Sequence, residues 1–289
     1  MTKFGLLMFA TDYAVAPRVL AREAEAHGFE SLFFPEHTHI PAERKTPWPG
    51  GADLPREYWH THDPFVALTA AASVTERLKV GTGIALVTER DPILMAKQAA
   101  TLDFLSDGRL LLGVGAGWNV EEMTNHGTEY SQRWKVLRER ILAMRAIWTE
   151  DEAEYHGDFV DFDKLWSYPK PRQTGGPPVL LGASSRFVYE RIAEYCDGWF
   201  PIYQTAERAQ ASGAVDYRQG IARTREAWEA AGRVGQPDFS IFGVGPDKEA
   251  VTSLIEDGFQ RVVFGLPSAD ADTVLPLLER YAAIAHGFA

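Results

Sequence analysis

Cysteine is nearly absent from this 289-residue chain: Cys196 stands alone, so no disulfide can form within it. In "AEYCDG" it reads as a small half-buried thiol packed at the end of a helix. Long apolar runs are missing too, since no stretch reaches the roughly 20 residues that a spanning helix needs. The chain opens directly on "KFGLLMFA", without the basic segment, apolar core and small-residue site of a secretory signal, which leads us to expect a cytoplasmic protein. Basic residues are in deficit, 29 against 40 acidic ones, for a net charge of −11. That balance argues against a general nucleic-acid or anionic-membrane surface, because phosphate backbones need clustered Lys and Arg. An anionic ligand must therefore be held by local groups. What the chain does have is 45% apolar residues over a length that suits a single domain, 1–289, with a substantial core.

A strand-then-helix unit recurs along that length. "KFGLLMFA", "SLFFPE", "LKVGTGIALV" and "GRLLLGVGAG" read as strands, each followed by helical spacing, and the helices after residues 62 and 90 open on Asp63-Pro64 and Asp91-Pro92. The unit resumes at "PPVLLGA", "GWFPI", "FSIFGVG" and "RVVFGLP", with a long helical region from Thr205 to about Gly232 among the intervening helices. Eight such units predict an α/β chain closed as a (β/α)8 barrel. Two insertions interrupt it: a Pro- and Gly-rich loop from His37 to His62 after strand two, and a β-hairpin near residues 153 to 171 after the helix that follows strand four. A doubly wound open sheet is the weaker reading, because "GVGAGW" puts Trp118 where a dinucleotide fingerprint needs its third glycine, and it follows the fourth strand instead of the first.

In such barrels the chemistry gathers at the C-terminal strand ends. Strand two ends in "PEHTH", and His37 and His39, with His60 and His62, form two H-x-H pairs that could offer four nitrogens to zinc. The later strand ends supply Ser, Trp and Gly rather than further ligands, so a zinc hydrolase is kept as a rival and no metal ligand is assigned. Lys79 begins strand three and lies at the wrong end for aldolase chemistry, and "GASS" lacks the G-x-S-x-G elbow. A mouth rich in glycine and poor in charge suits a planar cofactor that brings its own reactivity.

At this point "GFESLFFPEHTHIP", "LKVGTGIALVTERDPILMAKQAATLDFLSDGRLLLGVGAGWNVEE", "RWKVLRERILAMRAIWT", "YPKPRQTGGPPVLLGASS" and "DGWFPI", in that order and over nearly the whole chain, resemble the luciferase-like monooxygenase superfamily, in particular its coenzyme F420-dependent oxidoreductases. The resemblance implies hydride transfer between deazaflavin coenzyme F420 and a small organic substrate; FMN with monooxygenase chemistry is the alternative. It implies an acid and histidine pair at Glu36 and His37, the imidazole orienting substrate or handling a proton, for which its titration near neutrality is suited. It places the ring against the strand-three bulge of Thr82, Gly83 and Ile84, with a non-proline cis peptide at Gly83-Ile84, and beside Gly115. The stretch after strand four gives Trp118, Asn119 and Glu121 at the pocket, with Glu122 as easily explained by the preference of acidic residues for a helix's first turn. Trp118 stands where a glucose-phosphate-oxidising relative keeps a glutamate, which argues against that substrate. Gly182, Ala183, Ser184 and Ser185 would hold the cofactor phosphate through main-chain amides and hydroxyls, an arrangement that a plain serine N-cap would resemble in sequence. Aromatic pocket walls are expected from Phe9, Trp48, Tyr58, Trp59, Trp199 and Tyr203, with the long insertion as a lid. Arg44, Lys45, Arg56, Arg133 and Arg186 are the cations available for an anionic tail. Relatives in this superfamily often pair, so a homodimer is a further expectation.

Overall fold

The computed structural model describes residues 2–51, 53–204 and 216–288. Eight parallel strands close a barrel in the order β1, β10, β9, β8, β7, β4, β3, β2: β1 is Lys3–Leu7, β2 Ser31–Phe34, β3 Lys79–Leu86, β4 Leu110–Gly115, β7 Val179–Leu181, β8 Gly198–Trp199, β9 Asp238–Val244 and β10 Arg261–Gly265. All eight expected strands are present, and the expected hairpin is the antiparallel pair β5, Ala153–His156, and β6, Asp161–Leu165. The register places Phe33 opposite Gly81, where a Cβ would come within 2.5 Å of the Phe33 ring. That glycine is what lets so large a side chain fill the barrel interior, together with Leu7, Leu111, Leu180, Phe200 and Val263.

The Asp-Pro helix starts behave as their chemistry predicts. Asp63 accepts a hydrogen bond from Val66 N–H at the head of α3, Pro64–Ala72, and Asp91 accepts from Leu94 N–H at the head of α4, Pro92–Leu105. Along with α1, Pro17–Ala26, the short α2, Glu57–His60, α5, Val120–Asn125, α6, Arg133–Thr149, and α7, Val188–Tyr195, they sheathe the barrel. The helical region expected from Thr205 to Gly232 is seen as Tyr217–Ala230, and its first part, 205–215, lies outside the described residues. Among the described residues, no helix is long and apolar enough to cross a membrane. Cys196 is buried just past α7, and burial pushes its thiol pKa up, which suits a packing role.

The N-terminal end of the barrel is closed by charge. Arg261, 1% exposed, donates from Nε and Nη2 to Glu30, at 2.9 and 3.1 Å, and from Nη1 to Asp238 and Ser240. Lys79 adds a 3.3 Å ion pair to Glu30, which fixes it at the bottom as expected. Against the cost of burial, Arg261 and Lys79 hold the Glu30 carboxyl down at about 2.

Candidate active site

The opposite end opens into a cavity of about 400 Å³, within the range usual for small-molecule sites. Its floor is the top of the barrel interior, Leu7, Ile84 and Phe242, and its walls include Phe9, Tyr58, Trp118 and Trp134. Ile84 follows the cis Gly83–Ile84 peptide in the β3 bulge, where pairing with β4 shifts between Thr82 and Ala85. A Cβ on Gly115 would lie 2.0 Å from Ile84 Cδ1, and one on Gly182 would lie 2.8 Å from Ile84 Cγ2. These two glycines seat Ile84 low in the wall. Any side chain at either position would drive it upward into the space above.

Six of the expected cofactor residues, Gly83, Ile84, Gly182, Ala183, Ser184 and Ser185, line the cavity; Thr82, Gly115 and Glu121 do not. Thr82 is wholly buried under the floor and donates to Gly113 O at 2.6 Å. Gly115 makes room for Ile84 instead of facing a ligand. Glu121 reaches the other way, accepting from Thr46 Oγ1 at 2.6 Å and from the amides of Lys45 and Thr46. Those donors, Thr46 first, hold its carboxyl below the usual range and tie the long insertion to α5. The serines are not caps: α7 begins at Val188 with Phe187 as N-cap and no side-chain capping bond. Ser185 Oγ instead accepts from Arg191 at 3.3 Å, and Arg191 stacks 3.9 Å over Trp134.

His37 is 8% exposed on the cavity wall. Its Nδ1–H donates to Glu122 Oε2 at 2.7 Å, and the other Glu122 oxygen accepts from Thr38 N–H at 3.2 Å. That partner fixes the tautomer, leaving Nε2 as the acceptor, which takes a long hydrogen bond from the Trp118 indole N–H at 3.4 Å. Glu36, also on the wall, has its charge engaged: Oε2 accepts from Leu86 N–H at 2.7 Å and Oε1 from Arg90 Nε at 2.6 Å. Burial pushes the Glu36 carboxyl up against the pull of Arg90. Arg90 in turn reaches Asp63 and Gln98, so the end of β2, the turn after β3 and the head of α3 are cross-linked behind the imidazole.

Sequence reasoning missed Glu122 as the partner of His37, because an acid in a helix's first turn is explained equally well by the dipole. Arg90 and Trp134 were missed as well; position just past a mouth-facing strand end was the only signal for Arg90. Of the expected aromatics, Phe9 and Tyr58 line the cavity, with rings 4.7 Å apart, and Trp48 packs on Tyr58. Trp199 does not reach it: its side chain is fully buried on the outer side of the barrel against Tyr189, Tyr217 and Phe259. Trp59 is half exposed, and Tyr203 packs on the outer core. The H-x-H pairs diverge: His39 meets Thr38 and Asn125, His60 meets Asp12 at 2.8 Å, and among the described residues no group of three or more His, Cys, Asp or Glu is gathered to hold a metal.

The donor set and the floor fit a flat apolar ring with an anionic tail. Ile84 offers a low surface, Ala183 to Ser185 offer amides and hydroxyls, and Arg191 stands beside them. In sequence the chain is 41% identical over 283 residues to the uncharacterised protein Rv0953c of Mycobacterium tuberculosis, covering 97% of each. It is 34% identical over 205 residues to an FMNH(2)-dependent dimethylsulfone monooxygenase of Pseudomonas fluorescens, covering 70% of this chain and 52% of that one. Among solved structures, the monooxygenase RslO1 of Streptomyces bottropensis superimposes with a TM-score of 0.80 at 18% identity, over 99% of this chain and all of that one. An F420-dependent secondary alcohol dehydrogenase in complex with an F420-acetone adduct gives 0.75 at 17% identity over 98% of both. The luciferase-like monooxygenase family model matches residues 13–282, and with that match spanning nearly the whole barrel the chain belongs to this family of oxidoreductases and monooxygenases.

Proposed function

We propose that this protein is a coenzyme F420-dependent oxidoreductase acting on a small alcohol or carbonyl compound. The observation that carries the reading is His37: an imidazole on the wall of a mostly apolar cavity, its Nδ1 committed to a buried carboxylate and its Nε2 held only by a long 3.4 Å bond from Trp118, which a substrate hydroxyl can displace. The bound deazaflavin would supply the carbon that gives or takes hydride. His37 handles the accompanying proton at Nε2, accepting it from a substrate hydroxyl when an alcohol is oxidised, and Glu122 balances the charge that results. Trp118, Tyr58 and Phe9 exclude water and hold the substrate against the ring, so that positioning provides much of the rate. Ala183, Ser184 and Ser185 with Arg191 hold the cofactor phosphate, and Arg133, Arg186 and Arg44 lie around the mouth for the rest of the tail. Residues 1–289 act as one domain in the cytoplasm, with a small molecule and neither nucleic acid nor membrane as partner. Val66, Leu94, Leu105 and Trp166 are exposed apolar side chains on which a homodimer contact could draw.

A second reading keeps the site and exchanges the cofactor for FMN with oxygen as co-substrate. What favours it is the sequence similarity to FMNH(2)-dependent monooxygenases. Titration with each cofactor, followed by tryptophan fluorescence, separates the two. The proposal expects saturable quenching by F420 and bleaching of F420 absorbance on adding secondary alcohols. Saturation by FMN with no response to F420 transfers the site to the second reading.

A further inference from the structure

Three carboxyl groups, Glu36, Glu89 and Glu122, are buried behind His37, and only two of them have their charge answered. Glu36 meets Arg90 and the Leu86 amide; Glu122 meets His37 Nδ1 and the Thr38 amide. Glu89 is 6% exposed, and as an ion it has no hydrogen-bond partner for either oxygen. As a neutral acid it would carry a hydroxyl able to donate to the neighbouring Glu122 carboxylate. Two further observations fix its place. A Cβ on Gly117 would lie 3.3 Å from Glu89 Oε1, so the carboxyl stands directly behind the wall of the substrate cavity. On its other side Glu89 lines a second cavity of about 440 Å³, shared with Arg90, His126 and Arg140, which opens past exposed Asp91 and Asp161. The two cavities have no lining residue in common.

We propose that Glu89 is a positioning residue for His37: as a neutral acid it donates a hydrogen bond to Glu122, reducing the negative charge that Glu122 presents to Nδ1, and it exchanges its proton with solvent through the second cavity. The inference rests on the reading of His37 as the acid-base group of the site. Like charges in contact cannot both ionise without cost, so one proton serves the Glu89 and Glu122 pair. Burial, with Glu122 and Glu36 adding to it, raises Glu89 to about 9. The remaining groups around it do not cancel this. Arg90 is engaged by Glu36 and Asp63, and Asp91 caps α4. Arg140 keeps its charge, drawn toward Asp91 while it donates to Val87 O, and burial and His39 hold His126 below the usual imidazole range. Asp161, across the second cavity, is paired with His156.

The test reads the imidazole and not turnover, so it fails or succeeds apart from the proposed activity. The Nδ1 proton of His37, assigned by its loss in His37→Asn, is followed by NMR from neutral pH to beyond the Glu89 step in the wild type, Glu89→Gln and Glu89→Ala. In the wild type the resonance moves with an inflection near pH 9 as Glu89 ionises. Glu89→Gln, whose amide can still donate to Glu122, keeps the neutral-pH position and loses the inflection. Glu89→Ala leaves Glu122 with its full charge and shifts the proton downfield already at neutral pH. An inflection that is absent from the wild type or survives in Glu89→Gln overturns the proposal, as does an identical resonance in all three proteins. If Glu89→Ala does not fold by circular dichroism, the glutamine variant decides alone through the inflection.

Discussion

At the bottom of the barrel one arginine, Arg261, divides its guanidinium between two acids, Glu30 and Asp238, with Lys79 adding a second positive charge. At the mouth three buried carboxyls, Glu36, Glu89 and Glu122, share one arginine and one histidine. Both clusters sit at strand ends and involve groups far apart in sequence, but the acids at the bottom are about a quarter exposed, 22% and 25%, whereas those at the mouth are almost fully buried. The bottom is matched in charge and saturated in hydrogen bonds, which is how a buried ionic group serves the fold. The mouth is short of positive charge and leaves one carboxyl unanswered, which is where burial and like charges push titration toward working pH. The difference separates a cluster that holds strands from one that, on the proposed function, handles a proton.

The comparison is broken most severely at His37. His37→Ala should lower F420-linked turnover by about 100- to 10,000-fold, the usual contribution of a general acid or base, with thermal unfolding lowered because buried Glu122 loses its partner; turnover within threefold of wild type would remove His37 from the chemistry. Next comes the bottom: Arg261→Met strands Glu30 and Asp238 and should cost about 3–5 kcal/mol in urea unfolding, as for other broken buried pairs. Its pH dependence is specific. The Glu30 pKa is about 2 in the folded protein against 4.5 for an ordinary glutamate carboxyl. Its contribution, on the order of 3 kcal/mol, is therefore full above the unfolded pKa and is lost as pH falls toward 2. In Arg261→Met most of that acid-sensitive portion disappears, leaving the part that Lys79 supplies.

Glu89→Gln should act in the opposite direction. The folded protein holds Glu89 protonated up to about 9, whereas an ordinary glutamate carboxyl titrates at 4.5. Folding therefore loses stability progressively as pH rises from 4.5 toward 9, and the glutamine variant escapes that loss. At neutral pH it should be more stable than the wild type by on the order of 3 kcal/mol, with the gain vanishing below pH 4.5; a loss of stability at neutral pH would show that Glu89 is ionised. The smallest effect sharpens the difference between lid and barrel. Glu121→Ala frees the amides of Lys45 and Thr46 and should cost about 1 kcal/mol overall, while limited proteolysis in the insertion accelerates severalfold and KM rises more than kcat falls.

The barrel was legible because each of its units is local. Strand runs such as "LLLGVG", the Asp63-Pro64 and Asp91-Pro92 helix starts, and the alternation near 153 to 171 carry their signals within about ten residues. His37 and the Ala183 to Ser185 turn were legible as mouth positions for the same reason. The partners that decide their chemistry were not. Glu122 meets His37 across 85 residues, and Arg90 meets Glu36 across 54. Glu89 lies in "TERDP", where a charged residue reads as an exposed turn. Nothing in a single sequence distinguishes a solvated glutamate from one folded inward behind Gly117. Glu121 and Glu122 are adjacent, yet one faces the insertion and the other the imidazole, because successive residues on a helix project about 100° apart. Gly115 was identified as important for the wrong neighbour: it accommodates Ile84, a contact set by the bulge in β3.

The most direct test is a crystal structure of the protein soaked with coenzyme F420. The account predicts the deazaflavin ring resting on Ile84 with the His37 imidazole at its substrate face, and its phosphate on the amides of Ala183, Ser184 and Ser185. A ring found outside the cavity, or a phosphate bound away from that turn while the cavity stays closed by Trp118 and Tyr58, would contradict it.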